Sequence, residues 1–549
     1  MMATATKPEA GQREEPPSTS ARWRAPLSGA LCTALSAARE HYTRLFRVAA
    51  RRPRATAALT GALWAVIAIV RMLWPGPVGL ADAGDGPRVM CQVGAMPPNP
   101  ATGSSPEYLA LHWPAHRFYG ETCGVPATGE TYRSSQLILL RVAAWVGSLV
   151  SIPPGVDLRV LAVLCSLLVG IGVGLLVLAL PPSLAPPKRV FVASVVGLIM
   201  VDSGIARFYA SPYTETAALV GILLMCPALL WLFRQRRYTW GAMLAVAGTG
   251  TFAMLAKTQM VSLLPALVVA LLLRPSLPEN TSLSWARSIV RRSRLRQWLW
   301  LRLPALLIVA AVTAVGVGTL GNQPKRYAEI NAYSQVFTTM LPMSPDPEND
   351  LRWFGLDPAL ARGAGTNIYS PDTVAYDPAY ENLSDTVTLG KVVMFYVSQP
   401  GRFVKLADAG LTGMSGYGTE TYMANYPESS GEPPFARESR IAVVSWIMSA
   451  YRVMPWLFAV QWLAVLVICL LAARRWRDVP ARSSTGMLGL FLLTALSLQF
   501  WAIMMTEGDN EIFKHMIPVD LMMFLTVPAL LACRLQRRSA RPRRGSLTQ

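Results

Sequence analysis

Long apolar runs alternate with polar segments along most of the chain. A helix needs about 20 mostly apolar residues to cross a membrane, because each residue advances it by about 1.5 Å and the hydrocarbon core is about 30 Å thick. Ten runs approach this length: 55–75, 158–180, 190–206, 215–233, 239–256, 258–273, 303–320, 455–473, 485–505 and 517–533. The pattern therefore predicts an all-α polytopic membrane protein with about ten transmembrane helices.

The composition agrees with a membrane protein. Of the 549 residues, 52% are apolar and only 15% are charged, whereas about 25% of residues are charged in a typical soluble protein. These proportions exclude a disordered chain, collagen, a coiled coil and a small disulfide-stapled secreted protein. They also argue against a string of soluble domains.

Charged residues are sorted between the two sides of the predicted membrane. With a cytoplasmic N-terminus, the inner segments hold 32 of the 51 Lys and Arg residues but only 6 of the 32 Asp and Glu residues. Cytoplasmic loops of membrane proteins carry such an excess of Lys and Arg, so we expect an even number of spans with both termini inside. The net charge of +19 is expected to face anionic lipid headgroups, not nucleic acid.

The same map predicts the domain organisation. A flexible basic cytoplasmic tail, 1–54, precedes an N-terminal transmembrane module, 55–320, with seven spans and a long outer loop, 76–157. An α-rich extracytoplasmic lobe then separates this module from the last three spans and a basic cytoplasmic tail; these parts cover residues 321–440, 441–533 and 534–549. Long ordered loops usually carry function, so the outer loop and the lobe are where we expect the chemistry.

Two outer stretches have a helical pattern. Residues 134–152, in the second half of the outer loop, are amphipathic and are expected to lie along the membrane interface. Residues 387–407 of the lobe also read as a helical run.

Two of the seven cysteines fall on the predicted outer side. Cys91 and Cys123 both lie in the first outer loop, whereas the others lie in spans or on the inner side. Two thiols in an oxidising compartment can pair, but the sequence does not give the distance between their Cα atoms, which decides whether a bridge forms. A Cys91–Cys123 disulfide and two free thiols both remain compatible with the sequence.

An acidic pair directly after the first span is the sharpest candidate for chemistry. Asp82 and Asp85 stand three positions apart beside glycines. One carboxylate can act as general base toward an acceptor hydroxyl, or both can hold a divalent cation such as Mg²⁺ or Mn²⁺ through oxygen ligands. The structural alternative is an Asp-Gly turn that caps an interfacial helix.

Further polar residues lie at the predicted outer ends of the spans. Charges at membrane depth are costly and are best explained by a partner or a polar cavity. Glu215 has a structural alternative as a carboxylate at a helix N-terminus, and Lys257 has one as a lysine that reaches the surface. The candidate substrate-binding residues on this side are Arg88, Arg207, Tyr213, Glu215, Lys257, Gln259, Lys514 and His515.

The layout resembles the polytopic glycosyltransferases of the GT-C fold, which use polyprenyl-phosphate sugars. The acidic motif of the first outer loop carries the resemblance, together with residues 211–215, which resemble the Tyr-Thr/Ser-Glu signature of mannosyltransferase relatives. Residues 333–356 and Lys514-His515 are similar to bacterial membrane hexose transferases of surface-glycan assembly. This chain has Asp-Ala-Gly-Asp-Gly where the class commonly has Asp-Glu or Glu-x-Asp, which leaves open which carboxylate is the base and whether metal is needed.

The resemblance implies a reaction and a location. A hexose would pass from a polyprenyl-phosphate sugar to a glycan, lipid or protein acceptor, with Asp85 or Asp82 as general base. Cations on the outer face, with Lys514 and His515 foremost, would stabilise the departing phosphate. It also implies a multi-pass protein of the bacterial plasma membrane whose active site faces outside, with no certain cofactor.

Two other functions compete with this interpretation. A transporter or lipid-linked glycan flippase would need charged residues near the middle of its spans and broken helices in corresponding places. A non-catalytic scaffold for envelope assembly would use the outer lobe to bind protein. Polar groups that gather on one membrane face favour the enzyme.

Overall fold

The chain folds into helices at all ten predicted apolar runs. A computed structural model describes residues 51–98, 105–116, 132–277, 294–380, 383–419 and 421–539. Residues 54–549 form one unit by contact density. Nearly all of the predicted N-terminal tail, and the end of the C-terminal tail, lie outside the described residues.

The N-terminal part contains eleven helices among the described residues. They are α1 (Pro53–Leu73), α2 (Pro87–Met90), α3 (Gln136–Leu149), α4 (Leu158–Ala179), α5 (Pro186–Met200), α6 (Ser203–Ala206), α7 (Glu215–Phe233), α8 (Trp240–Met254), α9 (Leu264–Leu272), α10 (Arg294–Leu301) and α11 (Leu303–Gly321). Short 3₁₀ turns lie at Cys91–Val93, Arg207–Ala210 and Thr258–Leu263. Two short antiparallel strands, β1 (His112–Pro114) and β2 (Gly155–Asp157), pair ahead of α4, with Trp113 opposite Val156.

The predicted lobe is helical in the structure. Its helices are α12 (Lys325–Tyr333), α13 (Pro347–Phe354), α14 (Leu383–Thr386), α15 (Leu389–Ser398) and α16 (Pro400–Ser415), with a π-helix at Ser334–Met340 and 3₁₀ turns at Pro358–Gly363 and Pro378–Tyr380. The helical run predicted at 387–407 is divided between α15 and α16. Pro400 explains the break, because proline has no backbone N–H and its ring excludes the carbonyl of the preceding turn.

The C-terminal part ends the bundle. It contains a 3₁₀ turn at Glu428–Ser430 and five helices: α17 (Val443–Val453), α18 (Leu457–Ala473), α19 (Pro480–Thr506), α20 (Ile512–His515) and α21 (Ile517–Ser539). The 27 residues of α19 give a helix about 40 Å long. Because a short connection joins α19 to α21, the two run in opposite directions.

Fewer helices are long enough to span a membrane than the sequence predicts. Within the described residues, six helices are long and apolar enough to cross a membrane: α1, α4, α7, α11, α19 and α21. Two bent pairs raise the number to eight, α5 with 203–210 at 57° and α17 with α18 at 112°. The runs predicted at 239–256 and 258–273 form helices shorter than a span, so a count of about ten stays a prediction.

Burial identifies the centre of the bundle and the surface suited to lipid. In α7, 89% of the apolar window is buried, so this helix is surrounded by others. On α1, by contrast, Leu59, Leu63, Val66 and Val70 are exposed at helical spacing. The opposite face of α1 lies so close to α4 that a Cβ added to Gly61 would lie 2.6 Å from the carbonyl oxygen of Gly170. Small residues allow such close approach of helices in membranes.

Candidate active site

A cavity of about 790 Å³ lies where the loop after α1, the loop between α19 and α21 and the start of the lobe meet. All three belong to the side that the sequence predicts as outer. Its polar lining includes five of the predicted site residues, Asp85, Arg88, Lys257, Gln259 and His515, and a sixth, Lys514, is bonded to Asp85. Residues 429 positions apart in the chain are therefore brought together.

Asp85 reaches the cavity from a tight turn. Gly84, which precedes it, has a φ of +115°, a conformation that residues with a Cβ rarely adopt. One carboxylate oxygen of Asp85 accepts a hydrogen bond from Lys514 Nζ at 2.6 Å, and the other pairs with Arg88. The Asp85 side chain is 28% exposed, so this carboxylate lies between two cations and remains accessible to a ligand.

Lys514 is buried at the junction of the two loops. Its ammonium also donates to Glu511 Oε2 at 2.7 Å and lies 5.2 Å from the centroid of the Tyr213 ring. Burial lowers the pKa of Lys514, but Glu511 and its other acidic neighbours outweigh burial and raise it above the usual lysine value. Glu511 has a φ of +45°, an uncommon backbone conformation for a side chain of this size. Lys514 is therefore a fixed, fully charged cation.

Arg88 and two tyrosines form one wall of the cavity. The guanidinium carbon of Arg88 lies 4.9 Å from the centroid of the Tyr327 ring and 6.0 Å from that of Tyr132. The two rings meet edge to face, with centroids 5.5 Å apart. Tyr327 lies on α12, so the lobe contributes to the site. Aromatic faces beside charged groups suit a sugar ring that carries a phosphate.

A second set of charged and polar residues lies at the same cavity. Lys257 donates to Glu215 Oε1 at 2.8 Å, and Gln259 Nε2 lies 3.3 Å from His515 Nδ1. His515 Nδ1 also contacts a carboxylate oxygen of Glu507. Burial acts to raise the pKa of Glu507, but His515, Lys257 and Gln259 together lower it to about 2.

Besides Lys514, four predicted site residues do not line this cavity. Asp82 is buried, and its Oδ1 accepts the backbone N–H of Gly86 at 2.7 Å within the Asp-Gly turn, while α2, which follows, has no side-chain cap. Tyr213 accepts the N–H of Ala83 at 2.8 Å and so braces the same turn. Glu215 reaches the cavity only through Lys257. Arg207 lines a separate cavity of about 320 Å³ beside Glu438.

The arrangement does not fit a divalent cation held by Asp82 and Asp85. Both Asp85 oxygens face cationic side chains, and one Asp82 oxygen accepts a backbone N–H of its own loop while the other is buried without a hydrogen-bond partner among the described residues. Among the described residues no group of three or more His, Cys, Asp and Glu side chains is placed to hold a metal ion. The predicted cysteine pair is tested only in part: Cys91 is disulfide-bonded, and Cys123 lies outside the described residues.

Sequence reasoning did not place Glu507, Glu511, Tyr132 or Tyr327 among the site residues. Glu511 precedes Lys514 and His515 by three and four positions, so a search for acid–base pairs one turn apart would have found it, whereas Glu507 lies two turns before them. Tyr132 and Tyr327 lie 195 positions apart, and no local pattern joins them.

Comparison with known proteins gives a family for nearly the whole chain. Residues 44–545 match the family model described as the YfdI N-terminal transmembrane domain. No curated protein and no solved structure matches the chain significantly.

Proposed function

The chain belongs to the YfdI N-terminal transmembrane domain family, and we propose that it is a membrane glycosyltransferase of the GT-C type. It transfers a hexose from a polyprenyl-phosphate sugar to a glycan, lipid or protein acceptor outside the cytoplasm. The family description names a transmembrane domain and no activity, so the proposal rests on the chemistry of the site.

The contact between Asp85 and Lys514 is the observation that carries the proposal. Transfer from a phosphate-linked sugar requires a base for the acceptor hydroxyl and a cation for the departing phosphate. Asp85 and Lys514 provide both within 2.6 Å of each other, at the wall of a cavity large enough for a sugar phosphate.

The reaction balances with these two groups. The acceptor oxygen attacks the anomeric carbon, the bond from that carbon to the phosphate oxygen breaks, and Asp85 takes the hydroxyl proton. The leaving polyprenyl phosphate gains one negative charge, which Lys514 stabilises. The Lys514 ammonium stays in place when the donor binds, and the exposed part of the Asp85 carboxylate accepts the proton.

The membrane arrangement follows from the same proposal. The two short helices α8 and α9 then cross the membrane together with the neighbouring helices, which gives about ten spans. Both termini lie in the cytoplasm of a bacterial cell. The cavity then faces outward at the level of the lipid headgroups, where a polyprenyl carrier presents its phosphate. The polyprenyl chain of the carrier stays in the lipid, beside the exposed apolar faces of the helices.

The distribution of buried charge favours an enzyme over a transporter. Asp85, Glu215, Lys257, Glu507 and Lys514 all lie where helices begin or end on one side, and none lies midway along a span. Transport across the bilayer would need polar groups near its middle.

The test compares two aspartates of one loop. Purified protein is incubated with a panel of polyprenyl-phosphate hexoses and an acceptor extract, and the released polyprenyl phosphate is measured by mass spectrometry. Asp85→Asn removes the base and should lower the release at least about 100-fold. Asp82→Asn removes the same charge but keeps the oxygen that caps Gly86, and should stay within about threefold of wild type.

Three results would contradict the proposal. One is wild-type protein that releases no carrier from any donor. Another is equal loss in both variants, which would indicate damage to the loop. The third is movement of the intact donor across sealed vesicles without release, which would identify a transporter.

A further inference from the structure

A pocket of about 410 Å³ opens at the end of the bundle opposite the candidate active site. It lies among α18, α19 and α21 and contains Arg474, Arg475 and Arg482; we call it the arginine pocket. The directions in which α19 and α21 run explain why the pocket lies at this end. α19 begins beside the pocket at Pro480 and reaches the candidate active site about 40 Å away, whereas α21 runs back to the pocket and brings Gln536 there.

The pocket offers positive charge without an internal counter-charge. None of its lining residues is acidic. Within the part of the chain that the structure describes, Arg474, Arg475 and Arg482 form no ion pair. The carboxylate nearest in sequence is Asp478, which is in the connecting loop and does not line the pocket. Three arginines line one space, and guanidinium groups bind anions, phosphate above all, through paired hydrogen bonds.

A buried amide inside the pocket points independently to a hydrogen-bond acceptor. Gln536 is 5% exposed. Its Oε1 accepts a hydrogen bond from Thr485 at 3.3 Å, but its Nε2 has no partner among the described residues. A buried N–H without a partner costs free energy, and here it lines a space that a ligand can enter. Ser483 also lines this space.

The apolar rim shows what kind of anion would fit. Leu471 and Val479 line the pocket and are 47% and 44% exposed. Further along α18, Leu463, Val467 and Leu470 are also exposed, so an apolar surface continues from the pocket into the membrane region. We propose that the arginine pocket binds the headgroup of an anionic phospholipid, whose acyl chains lie on α18.

The experiment uses the full-length protein in detergent and native mass spectrometry. Phosphatidylglycerol is titrated against phosphatidylcholine with the same acyl chains, and wild type should retain one phosphatidylglycerol preferentially. In the double variant Arg475→Gln/Arg482→Gln the preference should fall about tenfold or more. Arg477→Gln removes a charge from the same loop outside the pocket, and its effect should stay below twofold.

The wild-type titration needs no variant and decides the proposal even if the double variant fails to fold. Equal retention of the two lipids by wild type overturns it. Equal loss of preference in Arg477→Gln and in the double variant also overturns it, because binding would then follow loop charge alone. Displacement of the lipid by millimolar inorganic phosphate would assign the pocket to a soluble anion instead.

Discussion

One buried lysine connects the two loops of the candidate active site. Lys514 bonds to Asp85 of the first loop and to Glu511 of its own loop while its side chain is 1% exposed. A cation in that position holds the two loops together before it meets any substrate. Its role in structure and its proposed role in catalysis must therefore be separated by experiment.

Lys514→Gln should abolish transfer and also lower stability. The substitution removes a charged hydrogen-bond donor from Asp85 and Glu511, whose side chains are partly exposed, and costs about 2 kcal/mol. Lys514→Arg keeps the charge in a larger planar group and should restore most of the thermal stability, while transfer stays at least about tenfold low because the guanidinium cannot reproduce the position of the ammonium. Parallel measurements of unfolding temperature and carrier release check this. An arginine variant with wild-type transfer would contradict the fixed position proposed for the ammonium.

Glu507 should make stability depend on pH in the acid range. Its pKa is lowered from 4.5 to about 2 in the folded protein, so the unfolded chain takes up the proton first as pH falls. The stabilisation is complete above about pH 4.5 and is lost as pH falls toward 2. Wild type should therefore exceed Glu507→Gln in unfolding temperature at pH 7, with a gap that closes below pH 4.5. The exposed Glu428→Gln gives the control, and a gap that widens in acid would contradict the prediction.

The sequence indicated which residues belong to the site better than it indicated where their side chains point. Asp85, Arg88, Lys257, Gln259 and His515 line the cavity. Lys257, Gln259 and His515 lie beside the ends of apolar runs, whereas Asp85 and Arg88 belong to the loop that follows the first run. The sequence did not indicate where the side chains of Asp82 and Arg207 point, because this depends on a turn and on partners far along the chain. The aromatic wall around Arg88 was missed for the same reason.

At the scale of elements, the loop between α19 and α21 is held by the lobe. Asp509 accepts a hydrogen bond from Thr339 Oγ1 at 2.6 Å and returns one from its N–H at 2.9 Å. Gly508, with a φ of +68°, lies against the same threonine: a Cβ there would be 1.9 Å from Thr339 Oγ1. The position of Lys514 and His515 thus depends on this contact.

Gly508→Ala should destabilise the protein and lower transfer together. The substitution adds a clash with Thr339 to the backbone strain of a left-handed residue, which alone costs about 1–2 kcal/mol. Gly431→Ala is the matched control, because Gly431 has a φ of +76° but nothing lies within 4 Å of its added Cβ. Unfolding temperature should fall more in Gly508→Ala, and only that variant should lose transfer. Equal effects would mean that the contact with Thr339 does not matter.

The helices were easier to predict from the sequence than the number of membrane spans that they form. Every apolar run became a helix, since hydrophobic content and length decide that locally. The bend of 112° between α17 and α18 and the shortness of α8 and α9 depend on packing against other helices. A window of apolar residues does not report such packing.

At the scale of the whole molecule, two distant loops must face the same compartment. A membrane-impermeant maleimide reagent should label Gly84→Cys and Asn510→Cys in intact cells above the wild-type background. Arg477→Cys, at the far end of the bundle, should be labelled only after permeabilisation, because α18 and α19 separate it from the cavity by the thickness of the membrane. Labelling of Gly84→Cys and Asn510→Cys from opposite sides would contradict both the site and the reaction, since Asp85 and Lys514 could not then meet. Labelling of all three from outside would leave the site intact but would contradict the predicted membrane crossing of α18 and α19.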